Sequence, residues 1–512
     1  MTLLDWLVAV PVIGALIVPM MALPREQAWL VRAFGIAMSI VELGIAVLLA
    51  VRFHIGAPGF QDTQDLRWMG ALGVHWYLGA DGISLVLVIM TAVLFVIAMA
   101  AIKGVTDVRA YVGWMLLLEA ACMGSFVSLD LLLFFVFFEL SLVPAYFLIA
   151  DFGFLGSGRA AIKFFVYTFA GSALLLVGII ALVVIHDHQT GNLTFALPAL
   201  EHTRLAASTS LLLFLAFTAA FAVKTPIFPF HTWSPDTYAK APIPAVVIVA
   251  GVMAKLGSYG IVRFDLGLFP GTSRQLAWLM LTLAVAGILW GAIVAAGERH
   301  LGRLVGYSSL SHMGFIVLGI FAFSTEGLAG SVLQMVNHGI YTAAMFLLLG
   351  MIYDRSGTLD ASRLGGLQRH APVLAGAFTV VVMAQAGLPG LNGFVGEFLI
   401  LVGTFVTHRW WAVVAVAGVV GSAAYLLWAY QRVFHRAPSE DRVVHDLQWR
   451  EVALIAPLLA IIVFLGVYPR PVLSAIDPAT SAIVARANRA PLPVASSTPT
   501  AVVSTLTPGV RP

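Results

Sequence analysis

Eight side chains that can gain or lose a proton sit inside long apolar runs: Glu42, Glu119, Glu139, Lys224, Lys255, His312, His338 and Glu397. A charge in hydrocarbon costs at least about 2.5–3.5 kcal/mol, so such residues mark pathways for ions or protons. Burial in a low dielectric disfavours the charged form of acids and bases alike, which brings both toward the protonation balance that transfer needs. Imidazole adds a group with two nitrogens, able to take a proton on one and release it from the other. The order acid, base, base, histidine, histidine, acid from Glu139 to Glu397 is that of a relay. Lys224 and Lys255 carry the most information. The other 26 of the 28 basic residues fall in loops or in the C-terminal tail. Pairing Lys224 with Glu139 would keep both charged, and separating them would let the lysine release its proton, so the pair is expected to act as a switch. Each residue also has a structural reading. Glu139 could neutralise a buried base, Lys224 could cap carbonyls freed by a proline, and Glu397 could complement a half-helix N-terminus. Glu42 and Glu119 receive no assigned role.

The elements that must hold these groups are membrane helices. Of 512 residues, 60% are hydrophobic and only 10% charged, with a mean hydropathy of +0.97. Soluble chains carry about 25% charged residues. That excludes a water-soluble enzyme, and a net charge of +3 suggests no nucleic-acid partner. The single cysteine, Cys122, excludes a disulfide framework, a thiolate zinc site and a cysteine-ligated iron–sulfur cluster. A span needs about 20 mainly apolar residues. About fourteen segments meet that length, with cores near 3–22, 30–51, 83–102, 111–128, 131–150, 163–185, 209–230, 243–262, 276–296, 304–323, 331–352, 372–406, 411–431 and 451–468. The first has no basic flank or cleavage signature and reads as a retained helix. The expected class is an all-α polytopic membrane protein; the continuous runs do not suit a β-barrel.

Orientation follows the lysine and arginine bias. Sixteen of the basic residues fall in odd-numbered loops and six in even-numbered ones. Odd loops are therefore expected in the cytoplasm and both termini outside. Loop 53–79, with Trp68 and Trp76, reads as interfacial, and the Ala/Pro-rich tail over 471–512 as disordered.

Two spans are interrupted. Pro226 and Pro229 break the seventh just after Lys224, and Gly387-Leu388-Pro389-Gly390 breaks the twelfth just before Glu397. Broken helices at matching places point to inverted repeats with ion sites at the breaks. The expected organisation is helices one to three over 1–110, a first repeat of helices four to eight over 111–265, a second of helices nine to thirteen over 266–433, and a loop with helix fourteen over 434–470. Neighbouring helices stand 8–10 Å apart, so water must bridge parts of the path. No phosphate-binding glycine loop or redox ligand set supplies energy, so the driver lies in another subunit or an ion gradient.

Several motifs resemble those of the antiporter-like membrane subunits of respiratory complex I, of the M type. They are Leu78 to Ser84; Leu129-Asp130 through Phe138-Glu139 and Leu142 to Ile149; Lys224-Thr225-Pro226 through Phe230-His231-Thr232-Trp233-Ser234-Pro235-Asp236 and Ala241-Pro242; Tyr307 to Phe315; and Gly387 to Phe398. The resemblance covers about residues 75–430. It implies a fourteen-helix fold and one proton-pumping unit of an NADH:quinone oxidoreductase in a bacterial cell membrane, with L- and N-type neighbours. NADH, flavin, iron–sulfur clusters and quinone would belong to partner subunits, with no cofactor or metal in this chain. The site carried over is Glu139, Lys224, Lys255, His312, His338 and Glu397. Relatives of the L and N types and of sodium/proton antiporters generally carry lysine where this chain has Glu397, and the Pro-rich tail stands in place of an L-type lateral helix. Both favour the M type. The loops depart from the family pattern: His300-Leu301-Gly302-Arg303 replaces an Asp-x-Lys-Arg run, Thr237-Tyr238 follows Asp236, and Lys240 stands where an acid is common. These departures leave a cation/proton antiporter or a hydrogenase- or ferredoxin-linked complex as alternative hosts. A subunit with dry, paired charges and no conduction is the rival from another class.

Overall fold

The structure, a computed structural model, describes residues 2–21, 24–57, 59–437 and 445–492. Twelve helices among them are long and apolar enough to cross a membrane. Two further helices complete the bundle. Leu301–Ile320 has the length of a span, but Arg303, Ser308, Ser309, Ser311 and His312 dilute its hydropathy. Pro372–Gln385 is apolar but short. The Asn392–Tyr430 helix runs through two expected segments and kinks at His408, whose backbone leaves helical geometry.

Both anticipated interruptions are present. The Ala207–Lys224 helix stops at Lys224, and the chain turns until Ser234–Lys240 resumes as helix. Pro372–Gln385 ends at Ala386, with Gly387 and Gly390 at positive φ, before helix restarts at Asn392. The first break comes earlier than hydropathy suggested, because Pro226 cannot donate to the preceding turn. Two spans have their apolar stretches wholly buried, Ile243–Leu268 and Thr325–Ser356. They carry Lys255 and His338, so the bundle centre is built around these two bases. Ile243–Leu268 is irregular: π-helical turns at Val249–Met253 and Ile261–Asp265 flank Lys255. Such turns shift side-chain direction and are common at functional sites. Gly257 lets this helix meet the first break, since a Cβ there would stand 2.3 Å from the Thr225 hydroxyl.

Three features differ from expectation. Loop 53–79 contains an antiparallel hairpin, Gln61–Met69 with Val74–Ala80, so the chain is not purely helical. Arg263, assigned to a loop by the charge count, lies inside the eighth span and pairs with Asp81 at 2.7 Å. The start of the expected disordered tail is the helix Arg470–Arg489, which buries Ala475, Ile476, Ala479, Val484 and Ala487 against the bundle. Its apolar residues recur at helical spacing, a signal masked by the alanine, proline and serine content. The remainder of that tail, 493–512, and Arg442 of the basic-residue count lie outside the described residues.

Candidate proton-translocation site

Lys224 ends its helix fully inside the protein. Its Nζ donates to Ser141 Oγ at 2.9 Å and to the Phe138 carbonyl at 3.4 Å, and stands 4.6 Å from the Phe138 ring centre. Its partners are thus a neutral hydroxyl, a carbonyl and a π face. Glu139, on the same Leu131–Leu140 helix as Phe138, is half-buried and makes no ion pair with Lys224 among the described residues. It lies within electrostatic reach of the lysine and beside the Ser172 hydroxyl. The expected contact pair is therefore a separated one. Ser141 follows two residues after Glu139, where the helix turns over into Leu142–Phe152, and it takes the position beside the ammonium. Thr225, next to Lys224, has a buried hydroxyl with no hydrogen-bond partner and faces Gly257 of the next helix.

Lys255 is buried with no acid in contact among the described residues. Its Nζ donates to the Ala250 carbonyl at 2.7 Å and lies 2.6 Å from His338 Nδ1. The carbonyl lies five residues back, within the adjacent π turn, which opens it toward the side chain. On the far side of the imidazole, Nε2 lies 3.0 Å from Ser309 Oγ. His338 thus has one nitrogen on an amine and the other on a hydroxyl, so a proton arriving at one can leave from the other.

His312 stands one turn beyond Ser309, its ring centre 6.0 Å from that of His338. Its Nδ1 meets Glu397 Oε1 at 2.8 Å, while Nε2 is buried and unpartnered. Glu397 also accepts from Gln334 Nε2 at 3.2 Å, and that amide donates to the Tyr341 hydroxyl at 3.1 Å. Tyr341 lies 5.6 Å from the His312 ring and 5.4 Å from the His338 ring. Glu397 is five residues inside its half-helix, so its bonds go to side chains rather than to the helix terminus.

Four of the six expected residues lie in one buried succession, Lys255 and His338 at the centre and His312 and Glu397 at the second break; Lys224 is buried at the first break, and the nearest tie between the two helices is Gly257 against Thr225. Glu139 stands to one side. Glu42 and Glu119 lie apart from the Lys255–Glu397 run and interact with each other; Ser39 donates to Glu119 at 2.8 Å, and both Glu42 oxygens lack hydrogen-bond partners. Sequence reasoning missed Ser141, Ser309, Gln334 and Tyr341. The signal for two of them existed: Gln334, His338 and Tyr341 follow an i, i+4, i+7 pattern on one helix face. Ser141 had no such signal, since its place depends on a turn.

Two interrupted helices around a buried line of proton-exchanging groups define a membrane-embedded ion-translocating subunit. The chain belongs to the NADH:quinone oxidoreductase/Mrp antiporter transmembrane family, whose model matches residues 128–423. It is 38% identical over 514 aligned positions to NADH-quinone oxidoreductase subunit M of Mycobacterium tuberculosis, covering 93% of this chain and 92% of that one. It is 39% identical over 476 positions to subunit M of Rhodobacter capsulatus, covering 90% and 91%. Among solved structures, it resembles a chain of the respiratory complex I of Thermus thermophilus with bound NADH, with a TM-score of 0.85, 31% identity, and coverage of 94% of this chain and 99% of that one. A chain of the Mrp complex from a Dietzia species shares the fold at 21% identity and a TM-score of 0.80, covering 94% and 97%.

Proposed function

We propose that this chain is the M-type proton-translocating subunit of an NADH:quinone oxidoreductase and that Glu139, Lys224, Lys255, His312, His338 and Glu397 move the proton. The observation that carries the reading is the buried run from Lys255 through His338 to the His312–Glu397 pair, with hydrogen-bond contacts of 2.6 and 2.8 Å at its ends. Electron transfer from NADH to quinone takes place in partner subunits, which hold the flavin, iron–sulfur clusters and quinone. It reaches this chain as a change in electrostatics along the membrane arm, from L- and N-type neighbours. Lys224 loads from the cytoplasm and passes its proton by way of Lys255. His338 and His312 relay it, and Glu397 releases it outside. Glu139 sets the charge state of Lys224 from a distance. The two repeats, 111–265 and 266–433, supply one break each. The chain sits in a bacterial cell membrane with both termini outside.

The test is His338→Gln in the assembled complex, in inverted membrane vesicles. NADH oxidation and the proton gradient are measured together and normalised to assembled complex. Gln keeps a polar amide between Lys255 and Ser309 but cannot pass a proton through itself. The proton gradient per NADH oxidised is expected to fall by about tenfold, the factor given by 1.4 kcal/mol on a barrier. A wild-type gradient per NADH would remove His338 from the path.

A further inference from the structure

A cavity of 290 Å³ opens where the turn before the Ser157–Thr190 helix meets Ser234–Lys240 and the start of Leu301–Ile320. A water takes about 30 Å³ of liquid, so the space suits a polyatomic ion. Its side chains are unbalanced in charge: Arg159, Lys163, Lys240 and Arg303 against the single carboxylate of Asp236, with His300 beside them. Asp236 is already engaged, accepting from Lys163 at 2.8 Å and Arg303 at 2.5 Å. Arg303 is further held by Glu298 at 3.1 Å. Arg159 and Lys240 have no ion pair among the described residues. His300 Nδ1 is buried without a hydrogen-bond partner. Burial, with Lys240 and Arg303 nearby, pushes this imidazole below its ordinary value, so it stays neutral with one N–H to donate. Gly156, the N-cap of the Ser157–Thr190 helix, and Ala160 also line the space, while the Ser157 N–H is already held by the Phe154 carbonyl at 2.9 Å. Lys240 and His300 are among the loop residues that depart from the family pattern.

We propose that this cavity is an anion site that binds a phosphoryl group through Arg159, Lys240 and His300. Two sources share that chemistry, the headgroup of an anionic phospholipid and free phosphate. The surroundings favour the lipid. Leu155, which precedes the lining residue Gly156, is 94% exposed, and Ile162, Val166 and Phe169 are exposed at helical spacing along Ser157–Thr190, an apolar track for acyl chains. Basic pockets between helices at a membrane surface bind such headgroups.

The test uses the assembled complex with Arg159→Gln and Lys240→Gln singly and together, and Arg159→Lys as the charge-keeping control. In the first arm, complexes in nanodiscs of mixed phosphatidylcholine and phosphatidylglycerol are stripped with detergent, and retained phosphatidylglycerol is counted by mass spectrometry. Wild type and Arg159→Lys are expected to retain more than the double variant, whose affinity falls by about tenfold or more. In the second arm, binding of radiolabelled inorganic phosphate is measured in phosphatidylcholine discs. Loss confined to the first arm assigns the site to a lipid headgroup, and loss confined to the second assigns it to free phosphate. Equal retention and equal phosphate binding in wild type and the double variant would overturn the site. Neither arm reads pumping, so the result stands apart from the proton path.

Discussion

The two breaks hold opposite charges in opposite ways. At the first, Lys224 rests on Ser141, the Phe138 carbonyl and an aromatic face, with its nearest functional acid out of contact. At the second, Glu397 is bonded to His312 and Gln334, and Gln334 leads on to Tyr341. The first break presents a cation with no carboxylate in contact among the described residues, Glu139 acting on it only from a distance. The second presents a connected network through which a proton can leave. On the proposed path, loading and release would rest on different physics, electrostatic sensitivity at one end and hydrogen-bond continuity at the other.

Lys224→Ala attacks the first of these and should have the largest effect. It removes the buried ammonium that ends the broken helix, so pumping by the assembled complex in vesicles is expected to disappear. Retained pumping would make the first break structural. Glu397→Gln comes next. Gln can still accept from Gln334 and meet His312, but it cannot exchange a proton, so pumping should fall by about tenfold or more. Glu397→Lys should retain some activity, because a desolvated lysine also titrates. If Glu397 served only the half-helix terminus, the ranking would reverse, with Gln near wild type and Lys dead. Ser141→Ala tests the separated pair at the first break. It removes one neutral partner and leaves the charge, so a fewfold loss is expected, with an altered pH dependence of pumping as Lys224 turns toward Glu139. An unchanged pH profile would show that Ser141 does not tune the lysine.

How far these sites were readable from sequence follows from where their signals lie. Ionisable types in apolar runs exposed Lys224, Lys255, His312, His338 and Glu397, because hydropathy penalises each one individually. Pro226 and Gly387 exposed the breaks, because they act on their own backbone. Partnership was another matter. Residue types pair Lys224 with Glu139, yet Ser141 takes the contact, since geometry across a helix turn decides it. Arg263 reads as a loop charge because composition cannot tell a buried pair with Asp81 from an exposed arginine. The Arg470–Arg489 helix was hidden because its buried residues are small.

The smallest expected effect concerns how the two broken helices are anchored. Ala207–Lys224 has no side-chain cap, whereas Pro372–Gln385 is capped from a distance by Asp446, whose carboxylate accepts from the Val373 N–H at 2.8 Å and the Leu374 N–H at 3.0 Å. Burial opposes its charge, but the N–H groups of Val373, Leu447 and Leu374, with Arg355 nearby, hold the carboxyl below its usual range. A depressed value means the contribution is full at and above the ordinary carboxylate range and is lost as pH falls through the depressed value. Asp446→Ala should cost about 1 kcal/mol locally, the usual worth of a helix cap. Hydrogen exchange followed by mass spectrometry at neutral pH should show faster exchange in the peptide beginning at Pro372 and no change in the one beginning at Ala207. Equal exchange in both peptides would mean that Asp446 anchors only its own loop, and that the second break owes its rigidity to the Gln334–Glu397 network alone.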